Sequence, residues 1–287
     1  MTIQSVIEKC KALKLKTFGE NLEQTIAIGE QKNWTPIQTI DHLFDLELEQ
    51  RRKNKIQRCF KQSKLYEKPT IDQFDFNFHS SRKNQKNRIL NLMDLAFIQQ
   101  KKDIILIGNP GVGKSFLAKC IAYAATQAGI KTLFTTAMDM INHLIAAEAD
   151  HSLLKKLQYY QTQELLAVDE IGYLSLGSQG SNLFFQVISA RHEKKATIIT
   201  TNRPFAQWGK IFDNTTVATA IADRLVYNSE VNVINLSDGL IGQKIFSTRR
   251  QMSPRVFTSR PYWFNGFQEY ILQTFNQLSQ FRCCLLE

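Results

Sequence analysis

The chain has 287 residues, 43% of them hydrophobic and 22% charged, with a formal net charge of +10. That is length enough for one large or two modest domains with buried cores, and too apolar a composition for a disordered chain. No apolar run approaches the ~20 residues needed to span a bilayer, the N-terminus lacks a basic-then-apolar leader pattern, and the cysteines at 10, 59, 120, 283 and 284 show no C-x-x-C spacing, so a cytoplasmic, membrane-free protein with reduced thiols is expected.

Residues 1–65 read as a small all-helical N-terminal domain. Ile3, Val6, Ile7, Cys10, Leu13 and Phe18 recur near helical spacing. Thr35-Pro36 opens a further helix, with Thr as N-cap and Pro in the first turn. Leu43, Phe44, Leu46 and Leu48 supply its apolar contacts before a basic run, Arg51, Arg52, Lys53, Lys55, Arg58, Lys61 and Lys64, with no acid inside it. A second basic group, Arg82, Lys83, Lys86 and Arg88, follows. Each alone reads as a solvated helix face. Two such groups on a net-basic chain favour a polyanion, bound through its backbone because no base-reading motif is present. Arg51, Arg52, Lys53, Lys55, Arg58 and Lys61 are the candidate DNA contacts.

Residues 66–101 form a connector. Phe74, Phe76 and Phe78 alternate after Pro69, which predicts an extended segment packed on the next domain. A helix is expected over about 83–100. From 102 to 236, apolar strand-like runs near 103–108, 131–136, 165–169, 196–201 and 231–236 alternate with helical stretches. This pattern predicts an α/β fold, a parallel sheet flanked by helices.

The first of these strands runs into Gly108-Asn109-Pro110-Gly111-Val112-Gly113-Lys114-Ser115, a match to G-x-x-x-x-G-K-[ST]. Glycines let the backbone N–H groups of such a phosphate-binding loop close around a phosphate chain, at a helix N-terminus that favours anions. Lys114 is placed to reach the β- and γ-phosphates, and the Ser115 hydroxyl to ligate Mg²⁺. Gly108 through Ser115, with Phe116 after them, are the candidate nucleotide-binding residues. The following Ala-rich helix is expected to stop at Gly129.

Leu165-Leu166-Ala167-Val168 ends in Asp169-Glu170, the Walker B pattern. Asp169 is expected to hold Mg²⁺ through water, and Glu170 to deprotonate an attacking water. Asn202, after the next strand, can reach a γ-phosphate or the lytic water; the alternative is a turn residue before Arg203-Pro204. The stretch Ser175–Ser181 reads as a flexible loop beside the acids.

These residues closely resemble the IstB-type helper ATPases of insertion sequences, a DnaC-like branch of the AAA+ proteins. The resemblance covers about residues 1–236. It rests on Phe74-Asp75-Phe76, the loop 108–115, Asp169-Glu170-Ile171-Gly172-Tyr173-Leu174, the stretch 182–189, Thr200-Thr201-Asn202-Arg203-Pro204-Phe205 with Trp208-Gly209, and Ile221-Ala222-Asp223-Arg224-Leu225. It implies a P-loop AAA+ ATPase preceded by an N-terminal helical domain that assists DNA binding and assembly. ATP-controlled self-association on duplex DNA and service to a DDE-type transposase are further implications. A replicative helicase loader and a non-catalytic DNA-binding scaffold are the alternative functions.

In such proteins an arginine near Arg224 enters the neighbouring subunit's site as an arginine finger. A structural pair with Asp223 is the equal alternative, and Arg191 and Arg203 are weaker candidates. Beyond Leu236 the chain departs from the family's usual ending. Residues 237–287 carry Tyr262-Trp263-Phe264 and no matching motif; the expected sensor-2 arginine has no aligned position there, with Arg249 and Arg250 as the candidate substitutes. This tail reads as a divergent extension from frameshift or recombination.

Overall fold

The computed structural model describes residues 2–78, 80–227 and 229–233. The expected strand end at 234–236, Arg249, Arg250, Cys283, Cys284 and the tail 237–287 lie outside the described residues.

Three helices open the chain: α1 (Ile3–Ala12), α2 (Lys16–Gln31) and α3 (Pro36–Gln62). Thr35 caps α3 as expected: its hydroxyl accepts from Gln38 N, while the Gln38 side chain accepts from Thr35 N at 2.8 Å, a reciprocal capping box. Cys10, Leu22 and Leu43 are buried between the helices, but Phe44 and Leu48 are 45% and 62% exposed, so only part of the expected apolar face packs. Glu47 is buried among them. It accepts from Phe18 N and from Arg51 Nε. Burial pushes its carboxyl up, but Arg51 and the backbone donors outweigh that and hold it below the usual range.

The end of α3 rests on the α/β unit. Phe60 meets Tyr123 edge to face at 5.8 Å, and Ser63 O accepts from Phe134 N at 2.8 Å. The connector is not extended. A 3-10 turn (Ile71–Gln73) places Phe74 in the core and leaves Phe78 62% exposed. The helix expected over 83–100 is broken into α4 (Ser80–Asn91), a 3-10 turn (Leu92–Asp94) and α5 (Ala96–Gln99). Leu95 is left-handed at φ 61°, and Asp94 Oδ1 accepts from Ala96 N, so a local side-chain bond outcompetes helix continuation.

Five parallel strands follow: β1 (Asp103–Ile107), β2 (Thr132–Thr136), β3 (Leu165–Ile171), β4 (Ala196–Thr201) and β5 (Ser229–Val233), in the order β2-β3-β4-β1-β5. Between them run α6 (Lys114–Gln127), α7 (Ala137–Ala149), α8 (Leu153–Gln161), α9 (Gly177–Arg191) and α10 (Thr215–Tyr227). Alternate residues of each strand feed opposite faces. Ile105, Ile107, Leu166, Val168 and Ile199 join the core under α7 to α10. Ile104, Leu106, Leu165, Ala167 and Ile198 join the core under α6 and the connector. Burial on both faces is why these strands read as apolar runs without polar alternation. Gly129 stands at φ 71° just beyond α6, the stop its sequence predicts. The stretch 175–181 is a correction: from Gly177 it is the first turn of α9, and Ser175 Oγ bonds Ile211 O and Asp213.

Candidate nucleotide site

The order of the strands decides what meets. β4 lies between β1 and β3, so the residues that end β4 stand between the glycine loop after β1 and the acids ending β3. Ile107 pairs with Thr201, and Gly108 N donates to Thr201 O at 3.2 Å. The carboxyl edge of a parallel sheet is where such folds bind ligands.

The loop Gly108–Gly113 leads directly into α6. Gly111 and Gly113 have φ of 81° and 90°, a region that strains other residues. A Cβ on Gly111 would meet nothing within 4 Å, which marks an open side to the loop. Lys114 Nζ donates to Asn109 O at 2.8 Å. Burial pulls its ammonium down and Asp169 pulls it back up. Ser115 is half-buried on the first turn of α6, where backbone N–H groups have no intrahelical acceptor. The Phe116 ring stacks on Phe74 at 6.4 Å. Its side chain therefore packs against the connector.

At the end of β3, Asp169 is 5% exposed and accepts a bond from Thr200 Oγ1. The same hydroxyl accepts from Glu170 N at 2.9 Å. A bulge separates the pairs Val168–Ile199 and Ile171–Thr201, and Glu170 sits in it at φ 62°, exposed. A left-handed glutamate costs of order 1–3 kcal/mol and persists where surrounding contacts fix it. Here the bulge turns Asp169 inward and Glu170 outward. Gly172 closes the turn at φ 92°; a Cβ there would lie 2.7 Å from Ile211 Cδ1 and 2.9 Å from Arg203 Cγ. Asn202 Oδ1 is buried with no hydrogen-bond partner among the described residues. Such an atom is costly unless something bonds it.

These residues fit a nucleotide with Mg²⁺. The loop is open at Gly111, Lys114 is held beside it, Asn202 is unpartnered, and Ser115 with Asp169 offers the hard oxygen donors that Mg²⁺ prefers. Among the described residues no group of three or more His, Cys, Asp or Glu is placed to hold a metal.

Other expected residues fall elsewhere. Arg191 is 1% exposed and donates to the carbonyls of Tyr160, Gln161, Gln163 and Ala196 and to Thr197 Oγ1. It ties strand starts together and is not available to another subunit. Burial lowers it to about 10, so it stays charged at neutral pH. Arg203 Nη1 bonds Gln207 at 3.3 Å. Arg224 bonds Ala220 O and lies over the Phe185 ring at 4.6 Å.

The basic run divides around α3. Arg51 is bound to Glu47 and to Lys14 O, and Lys53 to Glu49, acids one turn earlier that the run itself does not contain. The Lys55 stem lies against Gly129. Arg51, Asn54, Gln57, Arg58 and Lys61 line one open cavity of about 510 Å³. In the second basic group Lys83 and Lys86 are exposed but Arg82 is not. Arg82 is 8% exposed and bonds Val112 O, and Lys86 lies over the Phe76 ring. Sequence reasoning missed Thr200 and the packing role of Arg82, because each acts on residues 30 positions away.

A parallel sheet in this order, with a glycine loop after its first strand and paired acids at the end of its third, defines a P-loop domain of the AAA+ type. Residues 8–239 match the family IstB-like ATP binding protein, and the chain belongs to that family. It is 35% identical over 226 residues to a protein of insertion sequence IS5376 from Geobacillus stearothermophilus named as ATP-binding, covering 79% of this chain and 89% of that one. A counterpart from insertion sequence IS232 of Bacillus thuringiensis subsp. berliner is 32% identical, covering 79% of this chain and 90% of that one. Among solved structures the DnaC helicase loader superposes with a TM-score of 0.51 at 23% identity, over 58% of this chain and 96% of that chain, a likeness of fold.

Proposed function

We propose that the protein is an ATP-hydrolysing, DNA-binding helper of insertion-sequence transposition, working in the cytoplasm. The observation that carries the reading is the meeting of Lys114, Asp169, Glu170 and Asn202 at one edge of the sheet, in a chain that belongs to the IstB-like family. Lys114 and the backbone N–H groups of residues 111–116 hold the phosphates. Ser115, and Asp169 through water, would hold Mg²⁺, which would supply positive charge against the triphosphate. Glu170 takes a proton from water as its oxygen attacks the γ-phosphorus; the bond to the bridging oxygen breaks, and ADP and phosphate leave. Asn202 orients that water or the γ-phosphate. Arg224 completes the site of a neighbouring copy, leaving its Ala220 and Phe185 contacts to do so.

Residues 1–65 form the DNA-binding and assembly domain, 66–101 the connector and 102–236 the ATPase core. Duplex DNA contacts Arg52, Arg58 and Lys61 first, since Arg51 and Lys53 already pair with acids. The protein oligomerises on the duplex and serves a DDE-type transposase. A helicase loader shares the fold, but the relatives matched over about nine-tenths of their length come from insertion sequences. The intact set of Lys114, Asp169, Glu170 and Asn202 weighs against a non-catalytic scaffold.

The test is phosphate release at fixed low salt with no DNA, single strands or duplex. Duplex-stimulated turnover is expected. Stimulation by single strands alone would favour the loader, and folded protein without turnover under any condition would refute the ATPase.

A further inference from the structure

A buried arginine stands on the outer side of the phosphate loop. Arg82, at the start of α4, donates from Nε to Val112 O at 3.0 Å and from Nη1 to Asp75 O at 2.9 Å. Its guanidinium lies between two rings, 4.5 Å from the centroids of Phe74 and of Phe78. Burial lowers its pKa, and Asp75 partly restores it. Phe74 in turn packs edge to face on Phe76 at 5.0 Å and stacks on Phe116. A Cβ on Gly113 would sit 2.8 Å from Phe74 Cε2 and 3.0 Å from Arg82 Nη2. Gly113 therefore needs its glycine twice, for φ 90° and for this close approach.

We infer that Arg82 is a positioning residue for nucleotide binding: it fixes the Val112–Gly113 peptide so that Gly113 N–H points into the loop. The peptide is trans and planar, so its C=O and N–H point in opposite directions. Holding the Val112 carbonyl on the packed outer side aims the Gly113 N–H toward the side that is open at Gly111. An amide aimed in advance costs no reorganisation when an anion arrives. Lysine cannot substitute fully, because the arrangement uses two fork donors and a planar cation between two rings. The inference deepens the nucleotide-binding reading and rests on it.

The experiment measures the Kd of full-length protein for mant-ADP, with KM and kcat for MgATP, in the wild type, Lys114→Ala, Arg82→Gln, Arg82→Lys and Phe78→Ala. Thermal melts without nucleotide run alongside. Arg82→Gln is expected to raise Kd and KM roughly tenfold with kcat changed little, the loss of one orienting bond. Arg82→Lys should fall between it and the wild type. Phe78 is 62% exposed, so Phe78→Ala keeps the fold and should raise Kd two- to threefold, a loss of ring–cation contact at an exposed site. Wild-type Kd in Arg82→Gln, or a lowered melt with Kd unchanged, overturns the inference, while loss of mant-ADP binding in Lys114→Ala separately upholds the nucleotide site. If Arg82→Gln does not fold, unchanged Kd in both Arg82→Lys and Phe78→Ala overturns it equally. A wild type that does not bind mant-ADP overturns both readings.

Discussion

Thr200 offers the sharpest test of how the acid pair is held. Its hydroxyl, 1% exposed, donates to Asp169 and accepts from Glu170 N at 2.9 Å. Thr200→Val preserves shape and β-branching but removes both bonds at once. A bond to a charged group contributes about 1.5–3 kcal/mol, and an amide left without an acceptor costs about 1–3 kcal/mol. The bond from Glu170 N–H is only part-buried, so water relieves part of that cost. We therefore expect a loss of about 2–4 kcal/mol in unfolding free energy. The effect on turnover should be larger than on nucleotide affinity, because the hydroxyl fixes the bulge that sends Asp169 inward and Glu170 outward. A fall in kcat of roughly a hundredfold corresponds to about 2.7 kcal/mol of misplacement. Thr200→Ser keeps the hydroxyl and should retain most of the activity. Urea unfolding and steady-state phosphate release, measured on both variants, decide the matter. Valine and serine variants with equal kcat would refute the reasoning.

Lys114→Ala is expected to abolish nucleotide binding, measured by fluorescent-nucleotide titration, and Glu170→Gln to bind ATP normally but stall hydrolysis; parental turnover in Glu170→Gln would remove the general-base role. Asp103 accepts from Thr197 N at 2.7 Å, and burial pushes its carboxyl up to about 7, against the pull of Thr197 and Arg191. A carboxyl with a raised folded pKa opposes folding once ionised, so its penalty is absent below about pH 4, grows toward pH 7 and is constant above. Urea midpoints between pH 5 and 8 should fall in the wild type relative to Asp103→Asn; parallel profiles would contradict this. Removing Arg58 and Lys61 together should flatten the log–log salt dependence of duplex binding by roughly 0.9 per charge, whereas Arg51→Ala should chiefly lower stability through lost bonds to Glu47 and Lys14; an Arg51→Ala variant with an unchanged melt would count against that division.

What the sequence made legible is what depends on neighbours along the chain. The glycine loop, the acids at the end of β3, the Thr35 cap and the Gly129 stop each follow from residues within a few positions, and all appear where expected. How the basic side chains are held was less legible, because their partners lie outside the stretch that defines each group. The run from Arg51 to Lys64 contains no acid, yet the helical period brings Glu47 under Arg51 and Glu49 under Lys53, four residues back and outside the window that defined the run. Arg82 read as surface charge because its partner, Val112, is 30 residues distant and bonds through a carbonyl, which no residue type advertises. Arg191 read as a possible finger for the same reason: the atoms that hold it are mostly backbone carbonyls near the starts of other elements. Backbone acceptors are invisible to a reading by residue type. An arginine in this chain is thus best assigned by asking which carbonyls it can reach, and only then by its charge. On that criterion Arg224, bound to one carbonyl of its own helix and lying over one half-buried ring, gives up less on leaving its place than Arg191 or Arg82, which is the property a residue must have to act in a neighbouring subunit.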